Sequence, residues 1–288
     1  MPSEYAPNDE PNRLRLPNNS FGEPAAGRRV AITPPEYADT AVHHMLYLPA
    51  EWGANWRERD ERLPIVCEYT GNYFPTSGST GKVEEAALGY GISGGKFIWV
   101  ALPYISNDGS NNERTWWGDI AATVTYAKLN VPRIIEAFGG DPDAVLLCGF
   151  SRGAIAVNYI GLHDDEIAAL WSGFITHDHY DGEREWSNTN WGTPLKSYRQ
   201  AAYTRIARLH RRPFLVCQNG GTQGIEDYLK TTSENLDSFS FLPVDTKRIL
   251  GPFPNEIAVH EHNDRWMAKD STERNFVWQW VNTLFGSD

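Results

Sequence analysis

The chain has no apolar run approaching the ~20 residues a bilayer-spanning helix needs, so no membrane partner is expected. Met1-Pro2-Ser3-Glu4-Tyr5 lacks the basic and then apolar stretches of a secretory leader. A soluble protein is the expectation, with secreted, periplasmic and cytoplasmic placement left open. Positive charge is short as well: 26 Lys and Arg stand against 37 Asp and Glu, a net −11. Nucleic acid and anionic membrane surfaces both call for clustered basic residues, so neither is expected as a partner. Cysteine is scarce and odd in number. Cys67, Cys148 and Cys217 each fall inside an apolar run, which predicts buried free thiols rather than disulfides. No C-x-x-C spacing points to zinc.

Against those absences stands one dense signal. Ala144-Val145-Leu146-Leu147-Cys148-Gly149-Phe150-Ser151-Arg152-Gly153-Ala154-Ile155-Ala156-Val157 reads as a buried strand, an abrupt turn and a helix of small and apolar residues. A serine at the apex of a strand-to-helix turn, with glycines two residues to either side, is the context of a nucleophile elbow. The glycines are required because any side chain there would meet the neighbouring strand or helix.

Around that turn the chain alternates strands and helices. Residues 1–27 are rich in Pro, Asn and Glu and predict an irregular arm. From 28 to 288 a single domain is expected. Arg28–Thr33 and Ala41–Pro49 read as two antiparallel strands, in which the adjacent His43 and His44 face opposite sides. Leu63–Thr70 and Lys96–Ile105 read as buried strands separated by a long loop, Gly71–Gly95. A helix from Ile120 to Phe138 contains Pro132, which predicts a kink or a second start. Ile167–Thr176 and Arg212–Gln218 are further strands, with helices near Ser197–Leu209 and Gly224–Leu236. Phe239–Val244 and Pro254–Val259 compete as the last strand, and Thr272–Phe285 forms an amphipathic closing helix. The fold class is therefore α/β: a doubly wound, mostly parallel sheet with helices on both faces.

A serine hydroxyl needs a base, best a histidine held by a carboxylate, and such groups collect where strands end at their carboxyl edge. With its elbow, strand order and closing helix, residues 46–285 resemble an α/β-hydrolase. Arginine directly after the serine, in Gly149-Phe150-Ser151-Arg152-Gly153, resembles the elbow of glucuronoyl esterases and related bacterial esterases. The resemblance implies a histidine in the loop before the last helix, where His262 is preferred to His260. It also implies an acid after the next-to-last strand, yet Gln218-Asn219-Gly220-Gly221 offers none. The variant with the acid one strand earlier is served by Asp178, the first choice, and Asp181, the second; Glu226, in the helix after Gln218, is third. One oxyanion donor is expected from the N–H of Arg152, and the other from Asn72 or Tyr73. The Arg152 side chain either adds charge to that hole or caps a neighbouring loop.

His177-Asp178-His179-Tyr180-Asp181 also raises a metal site, since alternate residues of an extended chain share a face. No third ligand is evident, so neither metal nor cofactor is expected. Trp116, Trp117, Trp186, Trp191 and Trp266 fall in or beside loops and are candidates for lining a substrate cleft. The expected activity is a serine carboxylic-ester hydrolase working through an acyl-enzyme on a small or polymeric ester: carbohydrate-linked, aromatic or polymeric. The alternatives are a non-catalytic binding protein on the same fold, which gains from the missing carboxylate, and a serine peptidase or acyltransferase.

Overall fold

Nine strands pair into one sheet in the computed structural model, which describes residues 14–53, 55–56, 62–186, 194–232, 236–251 and 260–286. In chain order the strands are β1 (Asn19–Ser20), β2 (Arg29–Ile32), β3 (His44–Tyr47), β4 (Leu63–Tyr69), a small ribbon of β5 (Tyr73–Phe74) and β6 (Ser79–Thr80), β7 (Ile98–Leu102), β8 (Gly140–Phe150), β9 (Gly173–His177), β10 (Phe214–Asn219) and β11 (Phe239–Val244). The helices are α1 (Leu88–Ser93), α2 (Ile120–Phe138), α3 (Arg152–Tyr159), α4 (Asp165–Ala168), α5 (Leu195–Ile206), α6 (Gln223–Leu229), α7 (Thr246–Leu250) and α8 (Thr272–Phe285). The sheet order is β1-β2-β3-β7-β4-β8-β9-β10-β11. From β7 to β11 every pairing is parallel, whereas β3 runs antiparallel to both β2 and β7.

Two cores explain why the central strands are almost continuously apolar. Along β8, Val145 and Leu147 enter one core and Leu146 and Cys148 the other; along β4, Ile65 and Cys67 oppose Val66. The first core is closed by α2, α3, α5 and α6, and the second by α1, α7 and α8. Each fully buried Val or Leu contributes ~1.5–3 kcal/mol, so a sheet covered on both sides needs no polar alternation. The three cysteines are buried free thiols in β4, β8 and β10.

Several local expectations change. α2 runs unbroken through Pro132, from an Asp119 cap that accepts the Ala122 N–H to Gly139 at φ +76°. The Ile167–Thr176 run divides: Asp164 accepts the N–H groups of Glu166 and Ile167 and starts α4, so β9 begins only at Gly173. The Gly71–Gly95 segment is no simple loop. It holds the β5–β6 ribbon and α1, whose first N–H groups, Leu88 and Gly89, bond the buried Glu68 carboxylate at 3.2 and 2.8 Å. In the N-terminal arm, Asn19–Ser20 adds an edge strand beside β2. Phe239–Val244 is the outer strand; Pro254–Val259 lies outside the described residues.

The parallel register aligns the strand ends. Tyr69 pairs Gly149, Phe150 pairs His177, His177 pairs Cys217 and Asn219 pairs Val244. The residues after each strand are thus delivered to one edge of the sheet, where an open α/β sheet forms its crevice.

Candidate active site

Ser151 occupies the apex between β8 and α3 with φ +58° and ψ −119°, a conformation an L residue adopts only under constraint. The neighbouring backbone supplies that constraint. A Cβ on Gly149 would stand 2.1 Å from the Gly153 carbonyl oxygen, and one on Gly153 would stand 1.9 Å from that of Tyr69. The Ser151 N–H donates to the His177 carbonyl at 2.9 Å, locking the turn to the end of β9.

His262 Nε2 lies 2.7 Å from Ser151 Oγ, and His262 Nδ1 lies 3.0 Å from Asp178 Oδ2. The other oxygen of Asp178 accepts the Asn219 N–H at 2.7 Å. Burial raises the Asp178 carboxyl, but the imidazoles of His177 and His262 and the Asn219 N–H outweigh it and hold the group down at about 2. A carboxylate so fixed can hold the His262 proton on Nδ1, an arrangement in which Nε2 is free to accept from the Ser151 hydroxyl.

The other candidates lie elsewhere. Asp181 is fully buried in a two-point ion pair with Arg205, at 2.7 and 3.0 Å. Glu226 accepts the Thr222 hydroxyl at 2.6 Å at the start of α6. His260 turns its Nδ1 to the His262 N–H at 3.1 Å and so supports the loop rather than the serine. Nor do His177 and His179 converge on a shared point. His177 Nε2 donates to the Asn263 carbonyl at 2.9 Å, and His179 Nδ1 takes a bond from Arg184. Among the described residues no group of three or more His, Cys, Asp or Glu side chains is placed to hold a metal.

Of the two oxyanion candidates, Tyr73 is corrected: its N–H is committed to the Arg114 carbonyl at 2.8 Å, inside the turn that carries the ribbon. Asn72 remains. Its side-chain oxygen accepts the Trp116 N–H at 2.7 Å and its carbonyl accepts the Ser79 hydroxyl at 2.7 Å, so both its acceptors hold the loop still. The Arg152 N–H opens α3, where no carbonyl four residues back can take it. The Arg152 guanidinium is a loop cap. It is 1% exposed, lies 4.2 Å over the Tyr104 ring, and donates to the carbonyls of Trp116, Glu113 and Gly81. Burial lowers its pKa to about 10.

Tryptophan placement divides the candidates. Trp117 and Trp266 are each 1% exposed; Trp117 stacks on Tyr159 with centroids 5.1 Å apart, and Trp266 packs against His177. Both are core residues, because a loop position in sequence does not set the direction of the side chain. Trp116 and Trp186 are half-buried and meet edge to face at 5.6 Å, and Trp186 meets His179 at 4.6 Å. His179 in turn lies 5.0 Å from His262. On another side Phe74, 43% exposed, lies 6.4 Å from the His262 ring, next to the exposed Tyr73. Trp191 lies outside the described residues.

Sequence reasoning missed the supports. Asn219 braces both Asp178 and the His262 loop: its N–H holds Asp178, and its side-chain oxygen accepts from Thr246, whose hydroxyl reaches the Glu261 carbonyl just before His262. Four of the six described non-glycine residues with positive φ, Trp116, Ser151, Asp178 and His179, line this site. Strain of ~1–3 kcal/mol per residue is concentrated where the chemistry would occur.

No family model matches the chain, and no curated protein matches it. Solved structures do. An S-formylglutathione hydrolase from Agrobacterium tumefaciens matches with a TM-score of 0.54 and 16% identity, covering 92% of this chain and 97% of that one. A sugar hydrolase from Lactococcus lactis matches with a TM-score of 0.54 and 11% identity, covering 90% and 98%. A glucuronoyl esterase from Solibacter usitatus, at a TM-score of 0.42 and 15% identity over 70% and 71%, is too distant to bear on substrate. At these identities the likeness establishes the fold, that of the α/β-hydrolases.

Proposed function

We propose that this chain, on its α/β-hydrolase fold, is a serine carboxylic-ester hydrolase that works through an acyl-enzyme. The observation that carries the reading is the continuous line from Asp178 Oδ2 through His262 to Ser151 Oγ, at 3.0 and 2.7 Å. Ser151 Oγ attacks the ester carbonyl while His262 Nε2 takes its proton. The oxyanion is held by the N–H groups of Arg152 and Asn72, a pair in which one donor is worth ~3–4 kcal/mol. The alcohol leaves with the proton from His262, and Ser151 keeps the acyl group as an ester. Water, deprotonated by His262, then releases the acid and restores the serine. Amides and thioesters would take the same steps, so peptidase and acyltransferase activities use the same groups.

The half-exposed aromatic rings on two sides of His262 favour an ester bearing a ring or an extended apolar part: carbohydrate-linked, aromatic or polymeric. A non-catalytic role drew its force from the missing carboxylate after Gln218. Asp178 at hydrogen-bond distance from His262 removes that support.

A fluorophosphonate probe should label the wild type and not Ser151→Ala, and only the wild type should hydrolyse p-nitrophenyl acetate. An unlabelled wild type would return the protein to the binding class. Equal, weak turnover of p-nitrophenyl acetate, p-nitrophenyl hexanoate and a glucuronate methyl ester would speak against any specialised cleft.

A further inference from the structure

The relay uses one imidazole, and a second stands beside it with its own hydrogen-bonding arrangement. His179 comes directly after Asp178 and carries φ +113°, a conformation that L side chains rarely adopt. Gln218 Oε1 holds its backbone N–H at 3.1 Å. The ring sits between His262, with centroids 5.0 Å apart, and Trp186, edge to face at 4.6 Å. Its Nδ1 faces the Arg184 guanidinium, which can only donate. Nδ1 is therefore the bare nitrogen, and the single proton of the neutral ring resides on Nε2. Burial, and then the Arg184 charge, hold the ring well below the ordinary histidine range, so it stays neutral.

Among the described residues that Nε2–H meets no acceptor. A residue that only filled space between His262 and Trp186 would need neither a fixed tautomer nor a strained backbone. We propose that His179 is a specificity-determining residue whose Nε2–H donates to a second oxygen of the substrate, an ether, hydroxyl or carbonyl oxygen within a few bonds of the scissile ester. The inference rests on the ester-hydrolase reading and narrows it: preferred substrates carry an acceptor that simple alkyl esters lack. Arg184 acts one step back, as the group that sets the tautomer.

Two matched pairs of esters test it. p-Nitrophenyl methoxyacetate against p-nitrophenyl butyrate places the extra oxygen on the acyl side. 2-Methoxyethyl butyrate against butyl butyrate places it on the alcohol side. Within each pair the ratio of kcat/KM is compared between enzymes, so intrinsic reactivity cancels. His179→Phe should lower the ratio about tenfold in one pair, the loss falling on the oxygenated ester more heavily than on the plain one. His179→Gln, which keeps a donor near the Nε2 position, should preserve the ratio. Arg184→Met, at a side chain 47% exposed, should lower it in the same pair without altering the ring itself. Unchanged ratios in both pairs, or equal loss on plain and oxygenated esters, would overturn the proposal while leaving the hydrolase reading intact. Failure of the wild type on all four esters would overturn both.

Discussion

Replacing Asp178 by asparagine removes one charge while keeping every atom position filled, and the surrounding groups dictate how the new amide sits. The Asn219 N–H, 2.7 Å from Oδ1, requires an acceptor there, so the amide oxygen must take that place. The amide NH2 is then forced into the Oδ2 position, 3.0 Å from His262 Nδ1. A donor facing Nδ1 moves the imidazole proton to Nε2, where it points at Ser151 and blocks proton acceptance. The geometry survives and the tautomer is wrong. Such a change costs ~10⁴ in kcat, or about 5 kcal/mol of barrier. The assay is kcat on p-nitrophenyl acetate for Asp178→Asn beside Asp181→Asn and Glu226→Gln. Asp181→Asn strips a buried partner from Arg205 and should cost ~3–5 kcal/mol of stability, yet the folded enzyme should keep its turnover. Glu226→Gln should change little. More than about a tenth of wild-type kcat in Asp178→Asn would refute the reasoning, as would an equal loss per folded molecule in Asp181→Asn.

Two further outcomes are expected. Asp178 titrates at about 2 in the folded chain against an ordinary value of 3.8, so its contribution is present above the higher value and lost as pH falls through the lower. That contribution is about 2 kcal/mol, and the stability gap between wild type and Asp178→Asn should shrink from about pH 4 to about pH 2 in thermal melts; a gap constant with pH would contradict the assignment. Gly153→Ala sets a methyl 1.9 Å from the Tyr69 carbonyl oxygen and 2.9 Å from that of Thr70, both backbone atoms that cannot rotate away. It should destabilise the fold by ~4 kcal/mol or more, seen as insoluble expression or a large drop in Tm, and a well-folded, active variant would show that the elbow is looser than these contacts imply.

Apolar periodicity carried the reading where local sequence decides local structure. The run from Ala144 to Phe150 could only be buried, and glycines flanking Ser151 were required by a turn formed within a few residues. His262 was placed by its position before an amphipathic helix. Long-range partners decided the rest. Asp178 and Asp181 differ by three residues, and what separates them is Arg205 on α5, which captures one and not the other. The Tyr73 N–H is withdrawn by a carbonyl on Arg114, beyond β7 in the chain. Trp116 and Trp117 are adjacent, yet Trp116 is half-buried against Trp186 at the cleft and Trp117 fills the core against Tyr159. Asn219, Thr246 and Gln218 carry no catalytic chemistry of their own, so only their contacts reveal them.

Arg152, directly after Ser151, has a consequence for anyone who would reshape this cleft. Through one guanidinium, Arg152 binds the carbonyls of Gly81, Glu113 and Trp116, which belong to two separate segments of the rim. Those segments, the one carrying Asn72 and the one carrying Trp116, are thereby referenced to the floor that also carries Ser151. Loop exchange between such enzymes should tolerate new lengths and new side chains between the three tethered carbonyls. A graft that moves any one of them would shift Asn72, Trp116 and Ser151 out of register together. Lysine's three donors all radiate from one nitrogen, whereas here the planar fork divides the carbonyls between two, Nη1 taking Trp116 and Nη2 taking Gly81 and Glu113.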